Sequence, residues 1–356
     1  MKILIIQHKM IGDVLLTSLL CENVKKKYPN STVDYLINRN TLPVLENNPY
    51  IDNKIIFDEQ ENNNLFKLIK FSKQVNNNKY DVIIDAYSKI QSWIDVFIND
   101  APKKISYKKF GRQFLYTDNV VKHKEPFTQL GLAIEHRLAL LSPLGIDKPI
   151  ETNPKLYLTE KEKLMARNLF KAHGVDKSKK TVMISLLGSK LSKTYPLDKM
   201  TELVEFLGQN YDVNILFNYF PKQLDEAKII YNKLSELTKS KIYFDLLAED
   251  LRSFIAIINE CDFIIGNDGG AVNMAKAVNK KSFVIFSPYV SKNVWATFED
   301  NLNHISVHLK DYFPKKYNNM NDNKIKNRVN EYYSYFDFSL FKGKLKKFLD
   351  NHVESN

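Results

Sequence analysis

Short apolar segments alternate with amphipathic ones along most of this chain, and that alternation leaves few folds open. Lys2–Ile6, Thr32–Ile37, Lys54–Phe57 and Tyr80–Asp85 read as strands, and helices are expected over Asp13–Tyr28, Asn62–Val75 and Thr128–Leu141. In Asp13–Tyr28 the apolar Leu16, Leu19, Leu20 and Val24 fall on one face at helical spacing. Pro143, Gly145, Pro149 and Pro154 then break the pattern, so Gly145–Pro154 reads as a linker. A second series follows: helix Thr159–His173, strand Thr181–Leu186, helix Leu197–Leu207, strand Val213–Phe217, helix Lys222–Thr238, strand Lys241–Phe244 and helix Asp250–Asn259. Strands joined through helices pair in parallel beneath covering helices. The expected fold class is therefore α/β, with two Rossmann-like domains facing across a cleft, at 1–150 and 155–320, and a tail at 321–356. A length of 356 residues suits two such domains.

Composition narrows the chemistry. No apolar run approaches the roughly 20 residues that span a bilayer, and Met1–Ile6 is too short and too weakly charged for a signal peptide. The two cysteines, Cys21 and Cys261, suggest neither a disulfide framework nor a zinc site, and a reducing cytoplasm fits them. A formal charge of +11 calls for an acidic partner: nucleic acid, an anionic membrane or a phosphorylated substrate. Part of it clusters in 102–124, where Lys103, Lys104, Lys108, Lys109, Arg112, Lys122 and Lys124 face one acid, Asp118; alone, this reads as a solvated loop surface. The basic helix near Phe338–Leu349 has an apolar face that favours packing on the body over lying on a membrane.

The strand-to-helix turns carry the candidate site. After Phe263–Ile265 the chain reads Gly-Asn-Asp268-Gly269-Gly270 and enters a helix at once, with strand Ser282–Phe286 beyond it. Such a turn aims unpaired N–H groups and the positive helix end at one point, which suits a phosphate or diphosphate. The loop Leu187-Gly188-Ser189-Lys190-Leu-Ser-Lys193-Thr194 offers hydroxyls, a glycine and two lysines for the same task. A third loop, Phe217–Glu226, holds polar groups including Gln223 that suit a ribose. In the first turn, Gly12-Asp13 places a carboxylate at a helix start, as a helix cap or as a general base on a hydroxyl. No G-x-G-x-x-G follows the first strand, and P-loop, H-E-x-x-H and G-x-S-x-G patterns do not occur. No metal centre is indicated, and no nucleic-acid module is evident behind the positive charge.

Taken in order, four segments resemble glycosyltransferase family nine, the lipopolysaccharide heptosyltransferase family. Met10-Ile-Gly12-Asp13-Val-Leu-Leu-Thr17 is similar to its I-G-D-V-L-x-T motif and Tyr80–Asp85 to its Y-D-x-x-I-D strand. Lys193-Thr-Tyr-Pro196 is similar to K-x-W-P, and Asp268 through Ala277 to D-[TS]-G-x-x-H-L-A-A-A. The resemblance implies a GT-B architecture whose last helix returns to the N-terminal domain. It also implies an inverting, metal-independent transfer of a heptose-like sugar from a nucleotide diphosphate donor, ADP-linked, to a lipopolysaccharide-core or related acceptor, with no cofactor. Asp13 would be the base. Lys193, Ser189, Asp268, Gly269 and Gly270 would hold the donor diphosphate, and Gln223 and Asn273 its nucleoside and sugar. Lys122, Lys124 and Arg137 would meet an acidic, lipid-linked saccharide, with peripheral contact to the inner membrane surface. Four residues depart from the pattern: Gly269 for Thr or Ser, Asn273 for His, Tyr195 for Trp, and Gln223 where a ribose-binding acid is expected. A nucleotide-sugar epimerase on the same fold, or a binding module without catalysis, are the alternatives.

Overall fold

Ile3–Ile6, Ile83–Ile84 and Ile264–Ile265 are completely buried, as continuous apolar strands in parallel sheets covered on both faces must be. The computed structural model describes residues 1–353 and divides into two compact units, Met1–Tyr157 and a second from Leu158 onward. In the first, β1 (Lys2–Ile6), β2 (Thr32–Asn38), β3 (Asn53–Phe57), β4 (Val82–Asp85), β5 (Lys103–Tyr107) and β6 (Asp118–Val120) form one parallel sheet ordered β3-β2-β1-β4-β5-β6. In the second, β7 (Lys180–Ser185), β8 (Val213–Asn218), β9 (Phe263–Asn267), β10 (Lys281–Ile285) and β11 (His304–Val307) are ordered β11-β10-β9-β7-β8, again parallel. Strand order reverses between β1 and β4 and between β7 and β9. Helices leave those neighbouring strands toward opposite faces, which opens a crevice at their carboxyl ends.

Three expectations need correction. The expected strand at Lys241–Phe244 is a single parallel bridge, Ile215 to Ile242, after which the chain turns back through the Leu246 N–H bond to the Tyr243 carbonyl. Counting that bridge, the second sheet repeats the strand order of the first. The basic 102–124 stretch is not simply a loop surface, because it contains β5 and β6. Its lysines hid the buried Ile105-Ser106-Tyr107 core, and a three-residue strand at a sheet edge leaves almost no periodic signal.

The third correction concerns the tail. Helix Lys342–Asp350, expected on the N-terminal unit, buries its apolar side in the core of the second. Phe341, Leu345, Phe348 and Leu349 are fully buried, with the Phe348 ring 5.7 Å from Phe263 and 5.9 Å from Phe283. Tyr211 Oη donates to the Asp350 carboxylate at 2.8 Å, tying the helix to the end of helix Leu197–Asn210. Removing one such buried phenylalanine costs about 3–5 kcal/mol, so the tail is structural.

Candidate functional site

At the carboxyl edge of the second sheet, Asn267 organises the loops. Its amide nitrogen donates to the carbonyls of Ser185 at 3.0 Å and Leu186 at 2.9 Å, and its amide oxygen accepts the Tyr195 N–H at 2.7 Å. The end of β9 is thereby fastened to both ends of the 186–195 loop. Gly188 is required within that loop, since a Cβ there would stand 2.4 Å from the Lys193 carbonyl oxygen. Gln223 donates to the Gly188 carbonyl at 2.9 Å while its amide oxygen accepts the Phe220 N–H at 3.0 Å. One donor and one acceptor of this amide, expected to meet a nucleoside, are therefore engaged in joining two loops. Tyr195, fully buried, turns its hydroxyl to the Phe336 carbonyl at 2.8 Å and so packs the loop onto the tail.

What this scaffold leaves free is chemically coherent. Among the described residues, no hydrogen bond or ion pair engages the Lys193 ammonium or the Ser189 hydroxyl, and Ser189 is exposed. Helix Gly270–Ala277 begins with no side-chain cap, and its first backbone acceptor bond is the long 3.4 Å contact from the Asn273 N–H to Gly269. The Gly270, Ala271 and Val272 N–H groups thus lie open at a positive helix end. Gly269 itself has an extended backbone, φ 171°, and nothing within 4 Å of where a Cβ would stand. Neither the backbone nor the packing forbids the hydroxyl residue that the family pattern has there.

Asp268 stands apart from the diphosphate role given to it. A carboxylate repels a diphosphate, and its chemistry suits accepting bonds from sugar hydroxyls. Desolvation raises its pKa, opposed by the nearby cations Lys193 and Lys276, and no described residue donates a hydrogen bond to it. The residue keeps some solvent access although its carboxyl group is crowded. A small recess beside it is lined by Asn273, Lys276, Trp295, Thr297 and Glu299. Lys276 donates to the Thr297 carbonyl at 2.6 Å, and burial pushes its ammonium down to about 8 against the pull of Glu299, Asp268 and Asp300. Asn273 shares a helix face with Lys276 and brings its amide to the same recess.

In the first unit, Asp13 lies one turn into helix Ile11–Lys27. Its Oδ1 accepts from Arg137 at 2.5 Å, and its Oδ2 takes only the Met10 N–H, at 3.4 Å. The capping reading is therefore weak, and one carboxylate oxygen keeps free lone pairs on a side chain that is 24% exposed. Arg137 is buried in helix Leu132–Ala139 and also donates to Thr17 Oγ1 at 2.8 Å and the Ala133 carbonyl at 2.5 Å. It faces inward as the orienting partner of Asp13, not outward toward an acceptor. Lys122 lies over the Tyr107 ring, 3.8 Å from its centre. Desolvation there, with Lys109, Arg137 and Lys89 adding repulsion, lowers its ammonium to about 8. Lys122 is nonetheless exposed, so water screens part of that shift. Lys124 is exposed and has no ion pair among the described residues.

Sequence reasoning missed the groups that hold these sites in shape. Asn267 was read only as part of a polar turn, and Lys276 was passed over, although a lysine inside Met274–Ala277 was the available signal. The Asp85 carboxylate, buried and raised by desolvation, accepts Ser92, Tyr116 and the Ser88 N–H, and so folds the loop after β4. His8, after β1, is buried 3.4 Å from Asp95 and stacked on Tyr87.

Sequence and fold both have counterparts among known proteins. The family model described as glycosyltransferase family 9 (heptosyltransferase) matches residues 68–325. Lipopolysaccharide heptosyltransferase 3 of Escherichia coli is 28% identical over 283 residues, 77% of this chain and 80% of that protein. Among solved structures, a family 9 glycosyltransferase from Veillonella parvula superposes with a TM-score of 0.72 at 16% identity, covering 93% of this chain and 97% of its own. An E. coli heptosyltransferase solved with ADP-2-deoxy-2-fluoro heptose gives 0.65 at 14% identity, covering 93% and 99%. At such identities the structures speak for the fold alone. The family match covers well over half of the chain, and the four ordered segments lie on the strands and turns just described: the chain belongs to glycosyltransferase family 9, the heptosyltransferases.

Proposed function

We propose that the protein transfers a heptose-like sugar from an ADP-linked donor to a saccharide of the lipopolysaccharide core or a related surface glycan. The reading is carried by the second unit, which has an unspent lysine and an uncapped helix start at the carboxyl edge of its sheet, and is supported in the first unit by an oriented, partly free carboxylate, Asp13 on Arg137. The E. coli relative is named a lipopolysaccharide heptosyltransferase, and a protein of the same fold was solved with an ADP-heptose analogue, which supports the donor class.

In the reaction, Asp13 Oδ2 takes the proton of the acceptor hydroxyl as that oxygen attacks the anomeric carbon. The carbon–oxygen bond to the diphosphate breaks on the opposite face, so the configuration inverts and ADP leaves with the bonding electrons. Lys193 and the Gly270–Val272 N–H groups stabilise the charge that develops on the departing diphosphate, the task a metal performs in other transferases. Asp268 and Asn273 accept from and donate to sugar hydroxyls. Lys122 and Lys124 meet acidic groups of the acceptor.

The test is ADP release from ADP-heptose in the presence of a lipopolysaccharide-core acceptor, run with and without a metal chelator and with GDP-, UDP- and CDP-sugars alongside. We expect acceptor-dependent ADP release, indifference to the chelator and an inverted product by NMR. Turnover of the donor without any acceptor would indicate the epimerase reading, and thermal stabilisation by ADP without release would indicate a binding module.

A further inference from the structure

The two most exposed large apolar side chains of the first unit stand in one cation-rich loop, and a third exposed one, Ile90, begins the helix that this loop packs against. Phe110 is 99% exposed, Phe114 79% and Ile90 65%. The loop holding the two phenylalanines, Lys108-Lys-Phe-Gly-Arg-Gln-Phe114, has three cations and no acid. It is not a loose excursion. Lys109 Nζ donates to the Ser88 carbonyl at 2.9 Å, which joins the loop to the residues just before helix Ile90–Ile98. The Arg112 guanidinium stacks over the Trp93 ring at 3.6 Å, on the helix face that also carries Ile90. Lys89 is exposed between the two segments. Aromatic side chains held in water by a braced backbone and flanked by cations have the composition of a surface that enters the headgroup layer of an anionic bilayer.

We propose that this face, Ile90, Phe110 and Phe114 within Lys89, Lys109 and Arg112, docks the protein on an anionic lipid surface. The occupant is argued from charge and chemistry: a loop of cations that contains no acid, and large apolar side chains left in water. No helix among the described residues is long and apolar enough to cross a membrane, and the basic C-terminal helix buries its apolar side in the second unit. Membrane contact thus falls to these loops and not to the tail. The inference takes its purpose, bringing the protein to a lipid-linked acceptor, from the proposed function, but its evidence is independent of that reading.

The experiment is co-sedimentation of the full chain with vesicles of phosphatidylcholine alone and with phosphatidylglycerol added, for the parent protein and for the double variant Phe110→Ser, Phe114→Ser. Both side chains are exposed, so the variant should keep the parent's thermal midpoint, and ADP release with a water-soluble acceptor should be unchanged. The expected result is binding only to the anionic vesicles, weakened by high salt, and reduced at least tenfold in the variant. Undiminished binding by the variant, or no binding by the parent protein, overturns the proposal. Equal binding to both vesicle types also overturns it, because the lysines would then play no part. Loss of ADP release in the parent protein while vesicle binding persists would instead break the proposed function and leave the docking surface standing.

Discussion

Asp13 and Asp268 both lie at a strand-to-helix turn, Asp13 in the first turn of its helix and Asp268 just before its own, yet their surroundings are opposite. Asp13 is bound by Arg137, which fixes the direction of the carboxylate and leaves one oxygen open. Asp268 accepts no hydrogen bond from a described residue, is raised by desolvation, and has Lys193 and Lys276 as its compensating charges. Topology sets where a carboxylate stands, and the neighbouring helices decide what it can do. An oriented, open oxygen suits proton abstraction. An unspent, crowded carboxylate suits a ligand hydroxyl that supplies the missing bond.

The largest expected effect is on the first of these. Asp13→Asn preserves shape and an acceptor for Arg137 but removes the proposed base, so turnover should fall about 10³-fold, measured as acceptor-dependent ADP release, with ADP binding unchanged. Next is the clamp that keeps Asp268 in place. Asn267→Ala leaves the Ser185 and Leu186 carbonyls and the Tyr195 N–H without their partner, and should cost about 3 kcal/mol in chemical denaturation of the second unit.

Smaller effects sharpen the electrostatics around Asp268. Burial lowers Lys276 from 10.5 to about 8, so it is charged below pH 8 and neutral above it. As pH rises past 8 the cation beside Asp268 is lost, and donor affinity should drop roughly threefold by pH 9. Lys276→Met should flatten that profile. Stability should move the other way: the folded protein sheds this proton before the unfolded chain does, so the cost of burying the ammonium is relieved between pH 8 and 10.5. Smallest is Gly269→Ser, which should change stability by no more than about 0.5 kcal/mol, since its backbone is extended and its surroundings are open.

The contrast also shows what a sequence discloses. Apolar runs such as Ile3–Ile6 and Phe263–Ile265 announced the two sheets, because a strand buried on both faces has no other reading. The turns after them were legible because the apolar run gives way there to glycine and polar residues, although β9 itself carries on through Gly266 and Asn267. Gln223 was read as a ligand group and Asn267 only as part of a turn, because an amide that binds a ligand and one that binds a neighbouring carbonyl look alike until the loops are folded. Arg137 lies 124 residues from the aspartate it orients, and no local spacing encodes such a pair. β5 and β6 were lost beneath their charges, and the tail was placed on the wrong unit because an amphipathic helix does not name the surface it will cover.

The central claim, that the two aspartates divide catalysis from sugar recognition, is tested most directly by measuring the dissociation constants of ADP-heptose and of ADP for Asp13→Asn and Asp268→Asn by calorimetry. The account predicts that Asp13→Asn binds both as the parent protein does. It predicts that Asp268→Asn keeps its affinity for ADP but loses about tenfold for ADP-heptose, the worth of a hydrogen bond to a charged group. Loss of donor binding in Asp13→Asn, or unaltered ADP-heptose binding in Asp268→Asn, would contradict it.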